Sequence, residues 1–355
     1  MMTPGSRRRQ AGADTGRLAA REGMDQHSPD RGETRMEQRR LGRTGISVSV
    51  LGYGCGAIGG LMVKGSEAEQ DRAIGRALDH GITYFDTAFA YGEGGSERNL
   101  GRALRKLGAR PVVGTKVRVY DPQRGDIAGT IAASLEGSLQ RLGTECVDLF
   151  QLHNPITASG GKPAFTPEQI LGEAVPVLQK LHAQGKLKFY GITGLGDAPA
   201  LRKVLDQGGF STAQMPYNLL QPSGLVAGSA TPDLDGVIAH AAAQDVGVIA
   251  IRILAGGALS GTEARHAYGA QKVEPIASGE SYAADVQAAL KLRPLVEAGC
   301  AGDLVELALR YAIGPREIST VLVGTSSLEE LDHAVASVNK GPLPERALAM
   351  LLKSR

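Results

Sequence analysis

Ile82-Thr83-Tyr84-Phe85-Asp86, Pro111-Val112-Val113-Gly114-Thr115-Lys116 and Val147-Asp148-Leu149-Phe150-Gln151-Leu152-His153 are three short apolar runs, each closed by a polar residue. Runs of this length, rich in branched and aromatic side chains, read as β-strands. Each follows a helical pattern, carried by Ala73, Ala77 and Leu78, by Leu100, Leu104 and Leu107, and by Ile131, Leu135 and Leu139. Alternating helix and strand predicts a parallel sheet, open or closed, whose reaction centre lies at the C-terminal strand ends. Asp86, Lys116 and His153 fall at that edge, and Tyr91 lies just beyond the first run. Their coincidence points to an enzyme.

The pattern continues to both sides. Arg39 to Val50 reads as two short strands around a turn at Arg43-Thr44-Gly45, an N-terminal β-hairpin. Further strands are predicted at Val50–Gly54, Leu187–Ile192, Thr212–Gln214, Val246–Ile251 and Thr320–Val323. With the three above, that makes eight after the hairpin. Helices are predicted at Glu67–His80, Ser96–Leu107, Ile127–Leu142, Pro167–Gln184, Ala198–Gln207, Pro232–Gln244, Ser281–Ile313 with a break near Gly299, and Leu328–Val338. Eight such units without a linker predict a (β/α)8 TIM barrel with an N-terminal β-hairpin, one domain over residues 36–355. The competing architecture is a doubly wound open sheet. It is weakened because the first strand-to-helix turn, Gly52-Tyr53-Gly54-Cys55-Gly56-Ala57, lacks the full glycine fingerprint of a dinucleotide-binding fold.

Composition narrows the class. Hydrophobic residues make up 42% of 355, enough for a large core, and no run is long and apolar enough to cross a bilayer. Residues 1–35 carry seven Arg and five acidic residues among Gly, Ser, Pro and Thr. They are read as a disordered leader, with Met24 or Met36 as alternative starts. The remaining chain is formally neutral, so nothing points to nucleic acid or a membrane surface. Cys55, Cys146 and Cys300 have neither a disulfide framework nor zinc spacing, which predicts a cytoplasmic protein and no metal site. Cys55 is read as a small buried residue in preference to a pocket residue. Oligomeric state is not legible.

The four polar residues suit one chemistry. A neutral carbonyl accepts hydride only if the alkoxide that forms is stabilised by a proton donor. Tyr91 can donate, Lys116 can pull its pKa down, Asp86 can hold the ammonium, and His153 can orient the substrate oxygen.

The same residues carry a resemblance. Gly81-Ile82-Thr83-Tyr84-Phe85-Asp86-Thr87-Ala88-Phe89-Ala90-Tyr91-Gly92, Ser96-Glu97, Gly114-Thr115-Lys116 and Asp148-Leu149-Phe150-Gln151-Leu152-His153 closely resemble the aldo-keto reductases, from Arg40 to about Val335. The resemblance implies a (β/α)8 barrel using NAD or NADP, with a tetrad of Asp86, Tyr91, Lys116 and His153 and Tyr91 as general acid/base. It also implies nicotinamide contacts at Thr193 and Gln214, with Gly194 standing where the family has Asn; Asn154 or Asn218 would compensate for the lost amide. At the seventh strand Ile251 replaces the family's aromatic residue. Arg252 and Leu254 follow as cofactor candidates, Arg252 towards pyrophosphate or ribose.

The turn Gly324-Thr325-Ser326 leads into a helix N-terminus, a site for anions. The family often has Lys or Arg here for the 2′-phosphate of NADPH, and this chain has Gly324 and Glu330. A carboxylate repels a phosphate, so the expectation favours NAD. The substrate pocket is predicted at Tyr53, Ile58, Phe89, Tyr120 and Asn154. With no Trp and 4% aromatic residues, a small polar carbonyl, an alcohol or an aldose fits better than a flat apolar substrate. The alternatives are a non-catalytic cofactor-sensing subunit of the same fold, and a lyase or isomerase, for which no ligand cluster is evident.

Overall fold

The computed structural model describes residues 36–120, 123, 125–220, 235–276 and 280–353. The leader read at 1–35 and the helix start read at Pro232 lie outside the described residues.

The hairpin pairs β1 (Gln38–Arg40) with β2 (Ser47–Ser49) around a tight turn at Gly42–Thr44. Eight parallel strands then close a barrel in the order β10-β3-β4-β5-β6-β7-β8-β9. They are β3 (Leu51–Gly54), β4 (Tyr84–Asp86), β5 (Val112–Val117), β6 (Val147–Leu152), β7 (Leu187–Thr193), β8 (Thr212–Pro216), β9 (Gly247–Ile251) and β10 (Ile318–Val323). The closed barrel, with no edge left between first and last strands, rules out the open sheet.

The hairpin plugs the N-terminal end. Leu41 and Val48, both fully buried, pack with Tyr84, Leu149 and Ile249 in a small cluster inside the barrel. Gly42 has a φ of 48°, and a Cβ there would stand 2.2 Å from the Gly247 nitrogen, so only glycine lets the turn seat on the start of β9. Arg39 ties the hairpin down through the carbonyls of Ile313 (2.7 Å) and Ile318 (2.8 Å).

The larger core lies between barrel and helices, where the alternate strand residues Tyr53, Phe85, Val117, Phe150, Ile192, Ala213 and Val321 are buried. The helices start where their caps allow. Ser66 and Glu69 form a capping box for Glu67–Asp79, and Asp126 caps Ile127–Leu142. The helix predicted at Pro167–Gln184 is continuous but wound more loosely over Ile170–Ala174. The one predicted from Ser281 to Ile313 is three helices, Tyr282–Leu290, Arg293–Glu297 and Leu304–Ala312. Besides the expected break at Gly299, Pro294 starts a new helix because its ring cannot continue the previous one. A last helix, Glu345–Lys353, had no counterpart in the reading. All three cysteines are free, and among the described residues no helix is long and apolar enough to cross a membrane.

Candidate active site

Side chains alternate across a strand, and this parity decides what faces the barrel axis. On β4 it points Tyr84 and Asp86 inward, on β5 Gly114 and Lys116, on β8 Thr212 and Gln214. The register sets Asp86 beside Gly114 and Lys116 beside Gln151, so Lys116 stands one step nearer the mouth than Asp86. The Lys116 Nζ makes an ion pair with Asp86 Oδ1 and donates to the Thr87 carbonyl (2.8 Å) and the Tyr91 hydroxyl (3.0 Å). Both members of the pair are almost completely buried. The structure therefore brings Asp86, Tyr91 and Lys116 into one hydrogen-bonded chain. His153 follows β6, with its backbone nitrogen on the Val117 carbonyl (2.8 Å), and its ring stands edge-on to Tyr91 at 6.5 Å. All four predicted residues meet at the C-terminal mouth.

Two further residues complete the seat of Asp86. Its Oδ2 accepts from the Tyr84 hydroxyl (2.9 Å) and the Gln214 side-chain amide (2.6 Å). Tyr84 was not among the expected site residues. Its signal is the two-residue spacing from Asp86, which puts both on one face of β4. Glycine at 114 makes room for it: a Cβ there would lie 2.6 Å from the Tyr84 hydroxyl. Gln214, expected at a cofactor carboxamide, gives one N–H of its side-chain amide to Asp86.

Burial opposes the Lys116 ammonium, but Asp86 and Tyr91 outweigh it, and the pKa of Lys116 is raised. For Tyr91 the balance runs the other way. Burial lifts its pKa more than the Lys116 ammonium lowers it, so the net direction is up and Tyr91 is a phenol at neutral pH. This corrects the expectation of a lowered pKa: the nearby charge was legible, the loss of solvation was not. Because the Tyr91 oxygen accepts from Lys116, its own proton is free to point into the mouth.

His153 is held neutral. Burial first, then the charges of Lys116, Arg118 and Arg252, push its pKa down to about 3, and its Nδ1 is buried without a partner among the described residues. The sign of the stability effect follows. Above the unfolded value of about 6.5 neither state is protonated, whereas between about 6.5 and 3 only the unfolded chain binds the proton, so stability falls as pH falls through that window. A His153→Gln protein is expected to lack this component. Melting temperatures from pH 7 to 4 check it: the advantage of the parent over the variant should shrink with acidity, and a constant difference would refute a neutral His153.

Several expected pocket and cofactor residues do other work. Tyr53 is buried against Phe85 (5.8 Å) and takes a hydrogen bond from the Thr325 hydroxyl, because parity turns it outward to the helices. Asn154 is fully buried, bonded to the Val119 backbone through both amide atoms and to the Pro163 carbonyl, so it neither lines a pocket nor replaces the amide missing at 194. Asn218 is likewise buried and accepts from the Leu220 nitrogen. The exposed Phe89 ring has the Arg141 guanidinium over it (4.8 Å), and Arg141 in turn pairs with Glu97. Cys55 is buried. Ile58 and Tyr120 remain exposed on the loops after β3 and β5, at the mouth.

Thr193 is buried at the end of β7, and its hydroxyl has no partner among the described residues. At Gly194 a Cβ would stand 2.1 Å from the Met215 sulfur, so a side chain there would require Met215 to move. Half-buried Ile251 and Leu254 flank the exposed Arg252, whose φ of 60° is rare for a side-chain-bearing residue. At the end of β10, Gly324 is exposed. The Thr325 and Ser326 side chains turn inward, to Tyr53 and to the Gly59 carbonyl (2.6 Å), and so offer a ligand only their backbone. The Glu330 carboxylate accepts from the Ser326 nitrogen (2.6 Å) and already occupies the N-terminus of Leu328–Asn339.

Comparison with known proteins follows the same outline. The profile described as the Aldo/keto reductase family matches residues 50–354. L-galactose dehydrogenase of Arabidopsis thaliana is 32% identical over 310 residues, covering 86% of this chain and 89% of that one. The NADH-specific methylglyoxal reductase of Escherichia coli (strain K12) is 30% identical over 203 residues, 52% of this chain and 60% of that one. Among solved structures, the holo form of the aldo-keto reductase AKR11C1 from Bacillus halodurans superposes with a TM-score of 0.67 at 25% identity, covering 90% of this chain and 96% of that one.

Proposed function

The chain belongs to the aldo/keto reductase family, and on that premise we propose that it interconverts a small polar carbonyl compound and its alcohol, with Tyr91 exchanging the proton. The observation that carries the reading is the buried Lys116 ammonium shared between Asp86, the Thr87 carbonyl and the Tyr91 hydroxyl. Three acceptors fix the ammonium, and the ammonium fixes the phenol oxygen. Tyr91 is left with its proton aimed at whatever oxygen enters the mouth. Neutral His153 offers that oxygen a second hydrogen bond and sets its angle to Tyr91.

The residues present fit a nicotinamide nucleotide. The unpartnered, buried Thr193 hydroxyl suits a carboxamide, Ile251 offers an aliphatic face to a flat ring, and Arg252 with the Gly324 backbone suits phosphate oxygens. When bound, the nicotinamide supplies or accepts the hydride.

Glu330 supports NAD over NADP. A 2′-phosphate docking on this helix N-terminus would have to displace the carboxylate from the Ser326 amide, whereas a free ribose hydroxyl can donate to it. Glu330→Arg is expected to improve NADPH affinity relative to NADH by about tenfold, the equivalent of ~1.4 kcal/mol. Fluorescence titration with each cofactor reads it, and an unchanged ratio would remove Glu330 from the cofactor site.

The substrate class rests on the scarcity of rings at the mouth, where Tyr120 is exposed and Phe89 is held by Arg141. It agrees with the two relatives named for L-galactose and methylglyoxal. Free cysteines fit a reducing compartment such as the cytoplasm. The test is turnover of purified protein with NADH and methylglyoxal, and with NAD and L-galactose. Absence of cofactor-dependent turnover in both directions, with these and related short aldehydes and aldoses, would sink the proposal.

A further inference from the structure

Arg118 has no role in the site described so far. It follows β5 directly, two residues beyond Lys116, and strand parity continues the inward row through Gly114 and Lys116 to Arg118. It is exposed, its guanidinium lies over the ring of Tyr120 at 5.9 Å, and among the described residues it makes no hydrogen bond or ion pair. An exposed arginine with no carboxylate partner keeps its planar fork of donors for solvent or for a bound anion. This one stands at the mouth with Lys116 below it, and its charge is felt at His153 together with that of Arg252. Lys116 is neutralised by Asp86, so among the described residues the charges left near His153 are those of Arg118 and Arg252, which repel one another and attract an anion. With Arg252 given to the cofactor phosphates, Arg118 is left, among the described residues, as a cation at the mouth without a partner.

We propose that Arg118 anchors a carboxylate on the substrate, so that the preferred substrate is an aldehyde acid or a sugar acid and not a neutral carbonyl compound. This deepens the reading of Tyr91 and Lys116 above and rests on it. Two residues along a strand span about 6.6 Å. The anionic end therefore lies about one strand step above the reacting carbon, which suits a chain of about four to six carbons, from succinic semialdehyde to an open-chain hexuronic acid. Arginine suits the task because its planar fork meets both carboxylate oxygens, and the Tyr120 ring beneath it limits the orientations it must give up on binding.

The test compares matched pairs, both reduced with NADH: succinic semialdehyde against butyraldehyde, and D-glucuronate against D-glucose. The parent protein is expected to favour the acid of each pair. In Arg118→Gln the ratio of kcat/KM, acid over neutral, is expected to fall by about tenfold or more, with the loss in KM. Arg118→Lys should keep part of the preference, since the charge survives and the fork does not. NADH affinity, read by fluorescence, separates a substrate anchor from a cofactor contact, and a parallel loss of NADH binding in Arg118→Gln would overturn the assignment. A parent that treats acid and neutral partners alike overturns the anchor while leaving the oxidoreductase reading in place. A parent that turns over neither member of either pair, nor methylglyoxal or L-galactose, overturns that reading, and the anchor with it.

Discussion

A Tyr91→Phe protein is expected to fold and to bind nicotinamide cofactor as the parent does, while its kcat for carbonyl reduction falls by about a thousandfold. The ring survives, including its edge contact with His153, and only the oxygen and its proton are lost. General acid catalysis contributes about 10² to 10⁴ in rate, and here no neighbour can substitute. Lys116 is turned to Asp86 and the Thr87 carbonyl, and His153 is neutral. The raised pKa of Tyr91 adds a pH signature. Reduction uses the phenol, the resting form, and should be flat through neutral pH until that form is lost well into the alkaline range. Alcohol oxidation uses the phenolate, the scarce form, and should speed up as pH rises. Steady-state kinetics in both directions from pH 6 to 10 check this. Full activity in Tyr91→Phe, or equal pH profiles in the two directions, would remove Tyr91 from its role.

Asp86→Asn is expected to cost both stability and activity. Asp86 Oδ2 accepts from Tyr84 and Gln214 while Oδ1 faces Lys116, so a neutral amide would turn an N–H towards a donor on one side or the other. It would also leave a buried ammonium without its counter-charge. Removing one partner of a buried pair costs about 3 to 5 kcal/mol, and a loss near the lower figure is expected because the Thr87 carbonyl and the Tyr91 oxygen still accept from Lys116. With burial no longer opposed by Asp86, the Lys116 pKa should drop, and the remaining activity should be favoured at lower pH, where the ammonium persists. Denaturant unfolding with a pH series of kcat tests both halves. Unchanged stability would mean that the pair is not the buried interaction described.

How far these features were legible depended on the range of the interaction. The hydrophobic period of 2 in strands and 3.6 in helices lies within each segment, so all eight barrel strands and most helices were readable. So was the gathering of Asp86, Tyr91, Lys116 and His153 at the strand ends, which follows from parallel order alone. The seat of Asp86 was half readable: Tyr84 is two residues away on the same strand, but Gln214 is 128 residues off. Tyr53 was misread although parity alone would have turned it outward.

By itself the sequence determined the barrel, the hairpin at its entry and the four residues at its mouth, because periodicity, strand order and motif spacing are local properties of the chain. Only the tertiary structure decided which neighbours those residues meet and how much solvent they lose. Asn154 was claimed by the Val119 backbone, Phe89 by Arg141 and the Glu330 carboxylate by the Ser326 amide. Tyr91 became a phenol because burial outweighed the charge of Lys116. A side chain bonds to what lies within about 3 Å of it, and desolvation depends on everything packed around it. Neither is written at the residue's own position, so both had to wait for the closed barrel.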